Sequence, residues 1–555
     1  MKKLILIGII VLASILRFYK LDSLPALNAD EAAIGYNTYS LLETGKDEHG
    51  NSWPIHFQSF NDHKPGLYFY LVIPFIKLMG LSEWSVRLPG AILGVATVFL
   101  VWLLVRELFP HVRNFSLFTF HFSLAEIAAL FLAISPWHLH FSRGGWEVNA
   151  GTFFILLGLW SFLRGLKDSR WVYIAAVSWT ASLYTYHSAR IVVPLLTLVL
   201  IVVNRNLLFN KARKTFLAAV VLSAVLLIPL AKDLFGPAGI SRASGVGLFA
   251  DPGPLNKVNV QRGEHEDIKS ISSKLLHNKP VNYGLAFAQN YIEHFDGDFL
   301  FISSDKIERN KVPDMGLLYL FDLPLLVIGL LTISKNMISK NTKGWGPILL
   351  WLILSPTAAA LTFQSPHALR AQNMVVPLVI ISSYGAWSML NWLNRHISRK
   401  YILITCHLSL VTFMIWNFTY YLHQYYLHMN KEYDYSSQYG VKELVAYTRS
   451  QKDYENFFIT SRYDQPYILF LFYLKYPPEK FQSEHTLTSR DQFGFSTVES
   501  FDNYLFGNVS DWEGIKIAHP KTLIAGAPNE VPDGERVIHT IYFPSGRVAF
   551  RLVGN

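Results

Sequence analysis

The sequence predicts a polytopic α-helical membrane protein of about eleven transmembrane helices, with interfacial helices in a long first outer loop and a small C-terminal α/β extracytoplasmic domain. Three observations carry this. Of 555 residues, 51% are hydrophobic and only 16% charged, against roughly a quarter charged in an ordinary soluble chain. Apolar runs recur through the first three quarters of the chain. Near residue 420 those runs stop, and shorter helix- and strand-like patterns follow.

The runs fall at about 4–18, 88–109, 116–135, 148–165, 171–187, 190–203, 215–234, 316–333, 346–363, 373–391 and 401–420. Basic residues mark alternate connections: Lys2 and Lys3, Arg106 with Arg113, and the clusters within 164–170, 205–214, 335–343 and 395–400. By the positive-inside tendency these connections are cytoplasmic, so the N-terminus lies inside and the C-terminal domain outside the cell membrane. The first run is followed by Arg17 and Lys20 without a small-x-small site, and reads as an uncleaved helix whose end snorkels through those two residues. "GLYFYLVIPFIKLMG" (66–80) is short for a span and holds Pro74. It is laid on the outer membrane surface, because a span there would invert the charge pattern of every later loop. The expected organisation is a membrane domain over 1–420, with outer loops 20–87 and 236–315, and an α/β domain over 421–555. In the tail, "VKELVAYTRSQ" and "QPYILFLFYLKY" read as helices, and "NFFITS", "KTLIAG", "RVIHTIYF" and "RVAFRLV" as strands. The net charge of +9 reflects the cytoplasmic loops and implies no nucleic-acid partner; the single Cys406 allows no internal disulfide.

Some basic residues break the charge rule. "HFSR" (His140, Arg143), "HSAR" (His187, Arg190) and "HALR" (His367, Arg370) sit in short outer loops, and His63-Lys64 precedes the interfacial helix. Spacing i, i+3 puts both side chains of each His-x-x-Arg on one face of a helical turn. They suit an anion at lipid headgroup depth, with Lys64, Arg143, Arg190 and Arg370 gripping phosphate and His63, His187 and His367 in support. The plainer reading is that each arginine snorkels to bulk lipid phosphate. No compact metal-ligand spacing such as HxxxH occurs, so no metal site is assigned; a divalent ion stays open as a cofactor without being required.

Asp30 and Glu31, in "LNADEAAIGYN", share the first outer loop with Lys64. Adjacent carboxylates at a membrane surface suit a general base, because repulsion and partial burial raise a pKa. They also suit a helix N-terminus capped by Asn28 or Asp30; both readings can hold together. Glu147, in "SRGGWEVNAG", is positioned to pair with Arg143, to bind an acceptor or to orient a base, or serves as a helix N-terminal acid. Trp146, Tyr184 and Tyr186 read as an aromatic belt. Asp296 and Asp298 flank a glycine and read as a turn.

With "ADEAAIGYN", "HKPGLYFYLVIPFIKLMGLSEWSVRLPGAILG", "SPWHLHFSRGGWEVNAG", "YTYHSAR" and "SPHALRAQNMVVPL", the chain resembles the GT-C superfamily of integral-membrane glycosyltransferases over roughly residues 1–390. Within it, the chain is similar to the branch of protein O-mannosyltransferases and lipid A aminoarabinose transferases. The resemblance implies that Asp30 or Glu31 deprotonates an acceptor hydroxyl, which attacks the anomeric carbon of a polyprenyl-phosphate-linked sugar with inversion. It implies Lys64 as the residue holding the lipid phosphate, with Arg143 and Arg370 assigned by loop position. Three departures stand out: Lys-Pro-Gly where Lys-Pro-Pro is common, His63 where some relatives have an acid, and Glu147 where relatives often have Asp. The resemblance does not choose among a lipid, glycan or protein acceptor. The alternatives are a non-enzymatic transporter or receptor with an exported sensing domain, and an oligosaccharide transferase. Transport predicts charges inside the spans, and Glu126 is the exception that the pattern does not place.

Overall fold

The computed structural model describes residues 2–60, 62–110, 112, 115–117, 120–210, 212–236, 247–338, 344–489 and 496–555. Arg113, Lys211, Lys340 and Lys343 of the expected basic loops lie outside the described residues. In chain order the first elements are α1 (Lys2–Phe18), α2 (Ala29–Thr44), the strands β1 (His56–Ser59) and β2 (Asp62–Pro65), α3 (Leu67–Met79), α4 (Glu83–Leu108), β3 (Phe115–Leu117) and β4 (Phe120–Phe122). Then come α5 (Leu124–Ile134), α6 (Pro136–Ser142), α7 (Glu147–Gly165), α8 (Trp171–Thr185), α9 (Ala189–Val203), α10 (Arg205–Asn210) and α11 (Arg213–Leu234). Among the described residues, five helices are long and apolar enough to cross a membrane: α4, α7, α11, Gln372–His396 and Lys400–Glu432; the pair α5 and α6, bent by 58°, makes a sixth if it is one span. Shorter apolar helices include α3, α9 and Trp345–Ala360.

The chain divides into two compact units: 1–17 with 91–142 and 147–422, and 18–90 with 143–146 and 423–555. In the first, α7 packs on α8, and helix Asp322–Ile338 packs on Val375–His396. The second pair approaches closely: a Cβ on Gly385 would stand 1.8 Å from the Leu325 carbonyl oxygen. Such contact between small residues is how helices associate where no hydrophobic force separates protein from solvent.

Several expected boundaries move, each for a local reason. The run 116–135 opens with the hairpin β3–β4, and its helix starts only at Leu124. Ser123 and Glu126 form a capping box there: the Ser123 N–H donates to Glu126 Oε2 at 2.7 Å, and the Trp102 indole N–H donates to Oε1 at 3.1 Å. That places Glu126 as a helix cap. The run 316–333 becomes helical at Asp322, whose carboxylate accepts from the Tyr319 N–H at 3.1 Å and the Ser382 hydroxyl at 2.5 Å. The run 346–363 breaks after Leu354, just before Pro356, which cannot donate the next helical bond. Arg17 does not snorkel. It is fully buried, donating to the Ala13 and Ala133 carbonyls at 3.1 Å each and to His138 Nδ1 at 2.8 Å; polar partners inside the bundle replace water.

In the second unit, seven strands form a mixed sheet: β5 (Asn456–Thr460), β6 (Thr486–Leu487), β7 (Val498–Phe501), β8 (Tyr504–Gly507), β9 (Thr522–Gly526), β10 (Val537–Tyr542) and β11 (Val548–Gly554), in the order β10-β11-β9-β5-β8-β7-β6. The pairs β5–β8 and β5–β9 are parallel and the other four are antiparallel. The apolar "NFFIT" of β5 and the all-buried "TLIAG" of β9 are the continuous runs that covered strands show. The helix Pro466–Leu474, buried from Pro466 to Phe472, packs on α2. A Cβ on Gly35 of α2 would meet the Phe472 ring at 2.5 Å.

Candidate active site

The first group of predicted residues converges at the N-terminus of α2. Asn28 caps the helix and Glu31 completes a capping box: the Glu31 N–H donates to Asn28 Oδ1 at 3.0 Å, and the Asn28 N–H to Glu31 Oε2 at 3.3 Å. This puts Asp30 and Glu31 in the first turn, where the helix dipole favours anions. The two acids then part company, because successive helical residues point about 100° apart.

Glu31 points inward and is 1% exposed. Its carboxylate is gripped bidentately by Arg87, Nε to Oε1 at 2.7 Å and Nη2 to Oε2 at 2.6 Å. The Gly145 N–H adds a bond to Oε1 at 2.8 Å. Arg87, itself fully buried, directs its other donors to the Leu21, Pro25 and Ala26 carbonyls at 2.9–3.0 Å. All five guanidinium N–H groups are thus taken. Gly144 explains its own identity: a Cβ there would meet the Trp146 indole at 2.5 Å.

Asp30 keeps a quarter of its side chain exposed and pairs with Lys64 Nζ at 2.5 Å. The β1–β2 hairpin delivers the lysine. Lys64 lies opposite Phe57 and His63 opposite Gln58 in its register, and the ammonium also stands 4.5 Å from the Phe60 ring centroid. Arg143 is turned inward: it is 1% exposed and donates to the Tyr19 carbonyl at 2.7 Å and the Tyr425 hydroxyl at 3.1 Å, with the Tyr425 ring 5.1 Å away.

The other predicted residues belong to the first unit. His187 and Arg190 do share a helical turn, with Arg190 Nη1 donating to His187 Nδ1 at 3.0 Å and Nε to the Leu183 carbonyl at 3.1 Å. His367 Nδ1 stands 3.5 Å from Asp305 Oδ2, while Arg370 donates to Thr362 Oγ1 at 2.6 Å and Gln364 Oε1 at 3.0 Å. His140 bonds the Arg309 carbonyl at 2.9 Å. The three His-x-x-Arg motifs thus have different partners. Glu147 is buried in the first turn of α7, where the dipole favours a carboxylate.

Asp305 and His294 were not singled out in the sequence. Asp305 fastens the loop of His367 and Arg370: its Oδ2 accepts from the Ala368 N–H at 2.7 Å and Asn310 Nδ2 at 3.0 Å, and its Oδ1 from the Ile307 N–H at 2.9 Å. Burial raises its carboxyl above the usual range. His294 Nε2 accepts from the His367 N–H at 3.2 Å, so its Nδ1–H donates to the Asn290 carbonyl at 2.7 Å. Burial, aided by the Arg370 charge, pushes this imidazole down to about 4. Arg87 was visible within the motif "SVRLPG", but its partner is 56 residues away in sequence. Among the described residues, no group of three His, Cys, Asp or Glu is placed to hold a metal ion.

Comparison with known proteins shows what this chain is similar to. Residues 63–231 match the family model for dolichyl-phosphate-mannose-protein mannosyltransferases; Lys64, Arg143, Glu147, His187 and Arg190 lie within the matched segment, and Asp30 and Glu31 precede it. A putative mannosyltransferase of Bacillus subtilis, YycA, is 28% identical over 165 residues, which is 29% of this chain and 22% of that protein. The match thus spans about a fifth of the curated relative's length. Among solved structures, ArnT from Cupriavidus metallidurans bound to undecaprenyl phosphate aligns with a TM-score of 0.53 at 12% identity, covering 98% of this chain and 97% of that one. The archaeal oligosaccharyltransferase AglB from Archaeoglobus fulgidus, in complex with an inhibitory peptide and a dolichol-phosphate, aligns at 0.50 with 14% identity over 84% of this chain and 63% of that one. The chain thus shares the fold of these two structures, and the mannosyltransferase match falls within the region over which the motifs resemble that branch.

Proposed function

We propose that the protein is an inverting glycosyltransferase that moves a sugar from a polyprenyl phosphate to an acceptor hydroxyl on the outer face of the cell membrane. In this reading the chain crosses the membrane about eleven times, with residues 421–555 outside. The observation that carries it is the Asp30–Lys64 pair at 2.5 Å, partly open to solvent, beside a second acid locked by Arg87.

Asp30 is then the base and Glu31 the positioning residue. An ion pair with Lys64 weakens Asp30 as a base while the site is empty. A donor phosphate competes for the ammonium, which frees the carboxylate when substrate is present. Asp30 takes the hydroxyl proton as the acceptor oxygen bonds to the anomeric carbon. The sugar–phosphate C–O bond breaks, and its electron pair leaves with the polyprenyl phosphate. Lys64 stabilises that growing charge most in the transition state. Arg143 is engaged with carbonyls and a tyrosine, so its part is to shape the chain around residues 19–24.

The test uses purified full-length protein in lipid, a panel of radiolabelled polyprenyl-phosphate sugars and a membrane extract as acceptor source. Label release should fall by ~100-fold or more in Asp30→Asn with an unchanged thermal melt. Lys64→Gln should mainly weaken donor binding. Robust release from Asp30→Asn would remove Asp30 as the base. No turnover with any donor in the panel would count against the activity itself.

A further inference from the structure

We infer that the end of the first unit where α1, α4 and α5 meet holds a glycerophospholipid, with its phosphodiester on Arg106. A cavity of about 540 Å³ opens there, lined chiefly by Leu6, Ile7, Trp102, Val105, Arg106 and Phe109. It shares no residue with the proposed transfer site.

Three features select the ligand. First, Arg106 lies in the last turn of α4. A helix of 26 residues runs about 39 Å, longer than a hydrocarbon core of about 30 Å, so a residue in its last turn stands at headgroup depth. Second, the guanidinium has no hydrogen-bond acceptor among the described residues. Among the described residues it has no carboxylate at ion-pair distance, and it lies 4.5 Å from the Trp102 ring centroid, a stacking contact that holds its plane. Glu126, the one acid among the described residues of the wall, already receives the Ser123 N–H and hydroxyl and the Trp102 indole N–H. Third, the remaining wall is aliphatic and aromatic, which suits acyl chains. A planar guanidinium facing an apolar slot fits a phosphodiester with its chains attached. The proposal rests on α4 spanning a bilayer.

Native mass spectrometry of the detergent-solubilised full-length protein tests it, with phosphatidylglycerol, diacylglycerol and glycerol phosphate as probes. The expected result is one retained phosphatidylglycerol per chain, no retention of diacylglycerol or glycerol phosphate, and at least tenfold weaker retention in Arg106→Gln. Leu6→Trp, which fills the apolar end and leaves the charge, should weaken retention equally. Equal retention by wild type and both variants would overturn the site. Glycerol phosphate binding as well as the lipid would make it a free-phosphate site and overturn the lipid assignment. Sugar transfer should be unchanged in both variants, which separates this proposal from the activity.

Discussion

Asp30 and Glu31 are neighbours with opposite fates, and the difference is solvation. A carboxylate that is 1% exposed must be paired, and Glu31 has a bidentate arginine and a backbone N–H to meet that need. Replacing it by Gln leaves Arg87 buried with its charge uncompensated. Loss of one partner of such a pair costs about 3–5 kcal/mol. Glu31→Gln should therefore lower the melting temperature strongly, unlike Asp30→Asn, and Arg87→Met added to it should recover part of the loss. A thermal melt of the three variants checks this. His294 supplies a pH prediction. Unfolded, its imidazole takes a proton below about 6.5; folded, only below about 4. The unfolded state binds more protons between those values, so stability falls as pH drops through that window, by at most roughly 3 kcal/mol. Asp305 opposes this, since its raised folded pKa favours the folded state on acidification. Thermal melts from pH 6.5 to 4.5 should fall more steeply in wild type than in His294→Gln, whose amide oxygen can still accept the His367 N–H. The sequence made Asp30, Glu31 and Lys64 legible because adjacent acids and a misplaced lysine are local signals. Arg87, Asp305 and His294 were not, because their partners are distant in sequence or are backbone groups.

At the scale of elements, helices were legible wherever an apolar run had clear ends. In the tail β5, β9, β10 and β11 were legible because their apolar stretches are bounded, whereas β6, β7 and β8, of two to four residues each, were too short to give a pattern. What composition could not register were starts set by a single cap, as at Ser123 with Glu126 and at Asp322, or the burial of Arg17, whose partner His138 is 121 residues away. Closest approach of helices is equally hidden, since it depends on which glycine faces which backbone. Gly385 faces the Leu325 carbonyl and Gly329 faces the Ile381 carbonyl, where a Cβ would stand at 1.8 and 2.4 Å. A backbone oxygen cannot rotate away as a side chain can, so Gly385→Ala must push two long helices apart. The cost should reach or exceed the ~1–3 kcal/mol of ordinary overpacking. Gly284→Ala, with open space around the added carbon, is the control, and it should melt as wild type does. Equal melts for the two variants would contradict this packing.

At the scale of the whole molecule, the helix bearing the proposed base is built into the same unit as the tail. The Tyr36 hydroxyl donates to the Tyr476 carbonyl at 3.1 Å, the Ala29 N–H to Gln438 Oε1 at 2.6 Å, and Gln482 Nε2 to Ser40, Thr44 and the Asp47 carbonyl at 2.8–3.1 Å. Buried Glu48 accepts from Tyr467 at 3.0 Å and from Asn37 at 3.0 Å. All but the Asn37 bond join segments more than 400 residues apart, which is why no local pattern announced them. They also give the tail a mechanical role, because it covers α2 and fixes the turn that carries Asp30. Removing residues 423–555 should expose Gly35 and Tyr36 and leave Glu48 without its tyrosine. Hydrogen exchange over residues 29–48 should then rise sharply, while helix Val375–His396, in the other unit, keeps its protection. Label release should vanish with the same truncation. If instead residues 29–48 stayed protected and only release were lost, the tail would act on substrate rather than on the helix that holds the base.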